Sequence, residues 1–168
     1  MSRYKIIALM ALFVFALGIA FIGDALAGEK FKIRTVFHSI KSEQIAVPGE
    51  EGHVVGVGEV KGIASVLEGN ALAPGKFCHY VNSFDMNTKT GVGSSRVYGD
   101  TTDADGDIYY WLSEGKFVEG KYWKGKMTIV GGTGKYQGLQ GKGTYTSHSV
   151  APGQSYSDGE WEWEWPHR

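Results

Sequence analysis

Glu160-Trp161-Glu162-Trp163-Glu164-Trp165 alternates without error between an acid and an indole. A helix would scatter these six side chains around its axis, whereas a strand sends successive side chains to opposite faces. One face then carries three Trp and the other three Glu, so the segment predicts a strand with its Trp face packed and its Glu face in water. Three adjacent carboxylates repel unless water screens them, which argues for a solvated row rather than a catalytic one.

Working back from this strand, the same pattern recurs. Phe31–Phe37 alternates apolar and polar residues, and Val54–Leu67 is a long β-branched run broken by Gly56, Gly58 and Gly62. Lys76–Met86 is aromatic-rich and ends at the turn-forming Asn87–Gly91, after which Val92–Tyr98 resumes. Asp103-Ala104-Asp105-Gly106-Asp107 contains the Asp-Gly pair of a tight hairpin, and Ile108–Leu112 returns from it. Trp123–Val130, Gly143–Val150 and Ser155–Trp165 complete the set. Twenty-three of the 25 glycines follow Ala27, spaced by polar and aromatic residues, which suits strand turns, bulges and barrel corners rather than a linker. No amphipathic helical period of useful length occurs after Ala27. Eight or nine short strands of this kind predict a sandwich or a barrel.

The N-terminus reads as an export signal. Arg3 and Lys5 precede a charge-free apolar run of 17 residues, Ile6–Ile22, and Ala25-Leu26-Ala27 supplies a small-x-small cleavage site. The expectation is cleavage after Ala27 and a single domain over 28–168 in the periplasm or outside the cell; an uncleaved anchor is the alternative, because the run approaches bilayer-spanning length. Residues 28–168 carry a formal charge of about −2, with no basic footprint for nucleic acid or an anionic membrane surface. Cys78 is the only cysteine, so no intrachain disulfide forms, and a buried, inert thiol is expected.

Motifs that suggest chemistry fail on spacing. Gly131-Gly132-Thr133-Gly134-Lys135-Tyr136 is not a phosphate loop, since residue 129 is Ile and Tyr136 stands where Ser or Thr is required. It is not a dinucleotide fingerprint, since residue 137 is Gln. Aligning Gly106 with the glycine of a calcium loop puts Thr101 and Leu112 at the first and last ligand positions, so an acidic hairpin turn is the better reading. His38, His53, His79, His148 and His167 show no metal-ligand spacing, and adjacent Cys78 and His79 point to opposite faces of a strand. No cofactor is implied. What remains is an aromatic inventory of nine Tyr, eight Phe and five Trp. One face of Lys76–Met86 carries Cys78, Tyr80, Asn82, Phe84 and Met86, a make-up that serves equally as a plain core or as the wall of a ligand cavity.

Val130-Gly131-Gly132-Thr133-Gly134-Lys135-Tyr136, followed by Gly138, Gly141 and Gly143-Thr144-Tyr145, resembles the allene oxide cyclase and dirigent barrel superfamily, and the Asp103–Asp107 hairpin resembles its small exported bacterial members. The resemblance is clear over residues 99–146. It implies an all-β, eight-stranded antiparallel barrel, often homo-oligomeric, with a central apolar cavity and Tyr136 as an inward aromatic. It carries no catalytic residue over to this chain.

The leading expectation is an exported barrel that binds a hydrophobic small molecule, apolar or aromatic, non-covalently, with Tyr80, Phe84, Met86, Tyr98, Tyr110 and Met127 lining the site. A second is a cofactor-independent cyclase or isomerase in the same cavity, which requires a buried polar group, with Glu59, Asp85 and Arg96 as candidates. A third is a structural or interaction module with a filled barrel.

Overall fold

The computed structural model describes residues 28–69 and 76–165; the segment read as an export signal, its cleavage site and His167 lie outside the described residues. Eight strands follow in order: β1 (Glu29–Ala46), β2 (His53–Glu68), β3 (Lys76–Asn87), β4 (Val92–Thr102), β5 (Ile108–Val118), β6 (Tyr122–Gly132), β7 (Gln140–Ala151) and β8 (Gln154–Glu164). Each pairs antiparallel with the next, and β8 pairs back onto β1, closing the barrel. Closure removes sheet edges, the liability of any all-β chain. The expected strands are all present, several of them longer. The largest difference is β1, which runs on to Ala46 as the first arm of a hairpin with β2.

Pleating divides the wall. Residues facing the lumen are odd-numbered on β1 and on β4 to β8, and even-numbered on β2 and β3, until the bulges after Ser39 on β1 and after Ile129 on β6 reverse the parity. Phe31, Trp161 and Trp163 are buried, while Glu160 and Glu164 are exposed, as the alternation at 160–165 requires.

The glycines and aromatics of this composition are partners. Seven lumen-facing glycines stand directly opposite a bulkier side chain in the register: Gly62 and Phe37, Gly56 and Phe84, Gly58 and Asn82, Gly99 and Trp111, Gly125 and Tyr145, Gly143 and Trp161, Gly141 and Trp163. In each pair the larger side chain comes within 3.1 Å of where a Cβ on the glycine would stand. A narrow barrel cannot hold so many aromatic rings pointing at its axis; glycine on the neighbouring strand lets each ring lie flat against the wall.

One end is plugged. Phe31, Tyr109, Ile129, Tyr136, Leu139 and Trp163 pack there as the core, with edge-to-face contacts such as Phe31–Trp163 at 4.6 Å and Tyr109–Trp163 at 5.1 Å between ring centroids. The two motifs noted in the sequence meet at this end. A 3-10 turn, Gly134–Tyr136, joins β6 to β7 and docks on the Asp103–Asp107 hairpin. Asp103, whose side chain is fully buried, accepts from the Tyr136 hydroxyl at 2.9 Å and from the backbone N–H groups of Asp105 and Asp107, and pairs with Lys135 Nζ at 2.6 Å. Burial alone would raise its pKa; the bonds from Lys135, Tyr136 and the two amides hold it below the ordinary carboxylate range. Gly134 has φ +50°, and a Cβ there would strike the Asp107 carboxylate. The Gly-Gly-Thr-Gly-Lys-Tyr turn is thus a structural clasp.

Candidate functional site: the barrel lumen

Above the plug the wall encloses a space of about 250 Å³. Exposure rises along the wall towards the end that carries the β3–β4, β5–β6 and β7–β8 turns, where Phe84, Met86 and Trp123 are half-buried and Ser149 is exposed. The lumen opens at that end.

Tyr80, Phe84, Met86 and Met127 line this space. Tyr98 and Tyr110 do not. Both sit at even positions on β4 and β5, where the lumen takes odd ones, so they lie on the outer surface. Tyr98 is 51% exposed beside Val81 and Leu112, and Tyr110 lies against Gly131. The error has a physical source: both faces of β5 are apolar, with Tyr109 and Trp111 inside and Tyr110 and Leu112 outside, so alternation could not choose between them. Residues missed from sequence include Trp111, Trp123, Tyr145 and Trp161, each on the lumen wall, together with a set of serines on β7 and β8.

The polar candidates for a cyclase or isomerase also face outward. Asp85 bonds His53 at the barrel rim, Arg96 pairs with Glu114 on the outer wall at 3.1 Å, and Glu59 pairs with His79 there at 3.1 Å. Their side chains are 59%, 77% and 38% exposed. None of the described residues lining the lumen is an Asp, Glu, Lys, Arg or His. The protic groups that do line it are held in their neutral forms: burial pushes the Cys78 thiol up to about 11 and raises the Tyr80 and Tyr109 phenols well above their usual value. Cys78 Sγ lies 3.5 Å from Thr101 Oγ1, which also accepts from Trp111 Nε1 at 3.1 Å. At neutral pH the described residues of this wall offer no thiolate, no carboxylate and no charged acid. Among the described residues no group of three His, Cys, Asp or Glu side chains is placed to hold a metal ion.

Below the lumen floor lies Lys76, one inward position before Cys78 on β3 and only 3% exposed. Among the described residues its Nζ has no hydrogen-bond partner, and it sits 4.6 Å from the Trp163 ring centroid, 5.2 Å from that of Tyr109 and 5.7 Å from that of Tyr136. Burial pushes its pKa down to about 8, with nearby Asp103 acting in the opposite sense.

A closed eight-stranded antiparallel barrel of this size has solved counterparts. The pterocarpan synthase dirigent protein GePTS1 superimposes with a TM-score of 0.51 at 13% identity, over 83% of this chain and 91% of its own. The fold is that of the dirigent proteins. A second counterpart is a DUF3224-family protein of unknown function from Shewanella oneidensis MR-1, with a TM-score of 0.50 at 16% identity, over 83% of this chain and 100% of that one. No protein-family model matches the sequence, and no curated protein sequence matches it. At these identities the likeness extends to the dirigent-type barrel and stops there.

Proposed function

We propose that this dirigent-type barrel is an exported, periplasmic or secreted protein that binds one small apolar or aromatic molecule non-covalently in its lumen. The observation that carries the reading is the wall itself: Tyr80, Phe84, Met86, Trp123 and Met127 surround about 250 Å³ with aromatic and thioether surface. That is the chemistry of a small-molecule site, with apolar walls and a few polar anchors. A filled barrel, the structural alternative, would leave no such space. The cyclase or isomerase alternative loses its support with Glu59, Asp85 and Arg96 on the outside. Export rests on Arg3, Lys5, Ile6–Ile22 and Ala25–Ala27.

The test is titration with the neutral probe N-phenyl-1-naphthylamine, followed by its fluorescence gain and by quenching of the lumen tryptophans. Saturable one-to-one binding is expected, weakened at least tenfold in the double variant Tyr80→Ala/Phe84→Ala while near-ultraviolet circular dichroism shows the fold retained. Equal affinity in the variant overturns the site, and no binding to the parent protein overturns the reading.

A further inference from the structure

A patch of small hydroxylated residues runs along one stretch of the lumen wall. On β7, β8 and β1, three hydroxyls align in one rung of the register: Ser147 opposite Ser157, and Ser157 opposite Thr35. The next rung towards the mouth sets Ser149 opposite Ser155, with Phe37 beyond. All five hydroxyl-bearing residues line the space. Across the barrel, β3 presents Tyr80, Phe84 and Met86, with Asn82 between them, while Trp123 and Met127 on β6 flank the hydroxyl patch, Trp123 directly opposite Ser147. The hydroxyl bonds at the closed end of the lumen are satisfied internally, through Thr101. Among the described residues, no side-chain hydrogen bond engages the five hydroxyls of the β7–β8–β1 patch. Small hydroxylated residues at contiguous inward positions are a costly way to fill a barrel core, where Val, Leu or Ile would bury more apolar area.

We infer that the ligand is an uncharged amphipathic molecule whose apolar body lies against Tyr80, Phe84, Met86 and Met127 and whose polar edge, an alcohol, carbonyl or amide, bonds the Ser147–Ser157–Thr35 rung. The inference rests on the proposed binding function and adds the ligand's polarity and orientation to it. Neutrality follows from the wall. A carboxylate or ammonium entering the lumen meets hydroxyls but no counter-charge, and desolvating an ion without one is far costlier than desolvating an alcohol. Serine hydroxyls both donate and accept, so the rung does not distinguish an alcohol from a carbonyl.

Three probes of one skeleton test this: naphthalene, 2-naphthalenemethanol and 2-naphthoate, titrated at pH 7 against the parent protein and a Ser147→Ala/Ser157→Ala double variant by calorimetry and tryptophan quenching. The parent is expected to bind the alcohol about fivefold or more tighter than the hydrocarbon, the worth of one or two neutral hydrogen bonds, and the carboxylate at least tenfold more weakly than the alcohol. The double variant is expected to lose the preference for the alcohol and keep its affinity for naphthalene. Naphthoate binding as tightly as the alcohol, or a double variant that leaves the alcohol preference intact, overturns the inference while the binding function stands. Failure of all three probes to bind overturns both.

Discussion

Lys76 is an ammonium buried under aromatic rings with no hydrogen-bond partner among the described residues. Its amine titrates near 8 in the folded chain and near 10.5 when unfolded. At 1.36 kcal/mol per pH unit, keeping it protonated in the folded state at pH 7 costs about 3 kcal/mol relative to the unfolded chain. The faces of Trp163, Tyr109 and Tyr136 favour the cation, by about 1–2 kcal/mol for a desolvated charge over rings, and limit how far the value falls. Methionine has nearly the same length, no charge and a sulfur that packs well against aromatic rings. Lys76→Met is therefore expected to stabilise the protein at pH 7 by about 1–3 kcal/mol. The sign of the pH dependence follows from the direction of the shift. Between about pH 8 and 10.5 the unfolded chain holds the proton and the folded chain does not, so the parent gains stability as pH rises through that window. The variant lacks this gain, and its advantage shrinks towards zero near pH 10.5. Cys78 and the tyrosines titrate in both proteins and largely cancel in the difference. Urea unfolding of both proteins, followed by tryptophan fluorescence from pH 6.5 to 10.5, measures it. A variant less stable than the parent at pH 7, or an advantage that does not change with pH, refutes the account of Lys76 as a desolvated cation and makes it a net stabilising plug.

The clasp at the closed end gives a destabilising counterpart. Asp103→Ala orphans the Tyr136 hydroxyl and two backbone N–H groups in a buried site, and is expected to cost about 3 kcal/mol or more in urea unfolding, against about 1–2 kcal/mol for Tyr136→Phe, which removes one bond of the set. Gly62→Ala would put a Cβ 2.5 Å from the Phe37 ring and from the Val36 carbonyl; it is expected to cost about 1–3 kcal/mol and, by pushing Phe37 off the wall, to weaken N-phenyl-1-naphthylamine binding in the same sample. His53 bonds Asp85 at 2.7 Å and Glu50 at 2.6 Å, which raises its pKa above 6.5 and ties the β1–β2 turn to β3. Its contribution is complete below the unfolded value and fades as pH rises through the raised folded value, so the difference in stability between parent and His53→Gln should narrow over that interval when unfolding is repeated from pH 5 to 8.5.

How far the sequence carried depends on what each pattern encodes. The alternation at 160–165 was decisive because its two classes, indole and carboxylate, cannot exchange environments, and one strand sorted without ambiguity points to the packed side of all its neighbours. The Asn87–Gly91 and Asp103–Asp107 turns were legible because their residues are chosen by local backbone geometry. Strand β3 was read to the correct face, since Cys78, Tyr80, Asn82, Phe84 and Met86 all line the lumen. The parity of β4 and β5 was not legible. A barrel that carries Val81, Tyr98 and Leu112 side by side on its outer wall removes the contrast on which alternation depends, and parity is then set by register with strands distant in sequence. The end of β1 beyond His38 was missed for a related reason, because it pairs only with β2 and is exposed on both faces. Most consequential was the meaning of glycine. Read singly, each glycine marked a turn or a corner; seven of them are instead the seats of bulky side chains on the next strand, and that relation exists only across the register. The same relation explains how so aromatic a barrel keeps space at its centre: rings seated on glycine lie along the wall, and the small hydroxylated residues Ser147, Ser157 and Thr35 take up little of the room that remains.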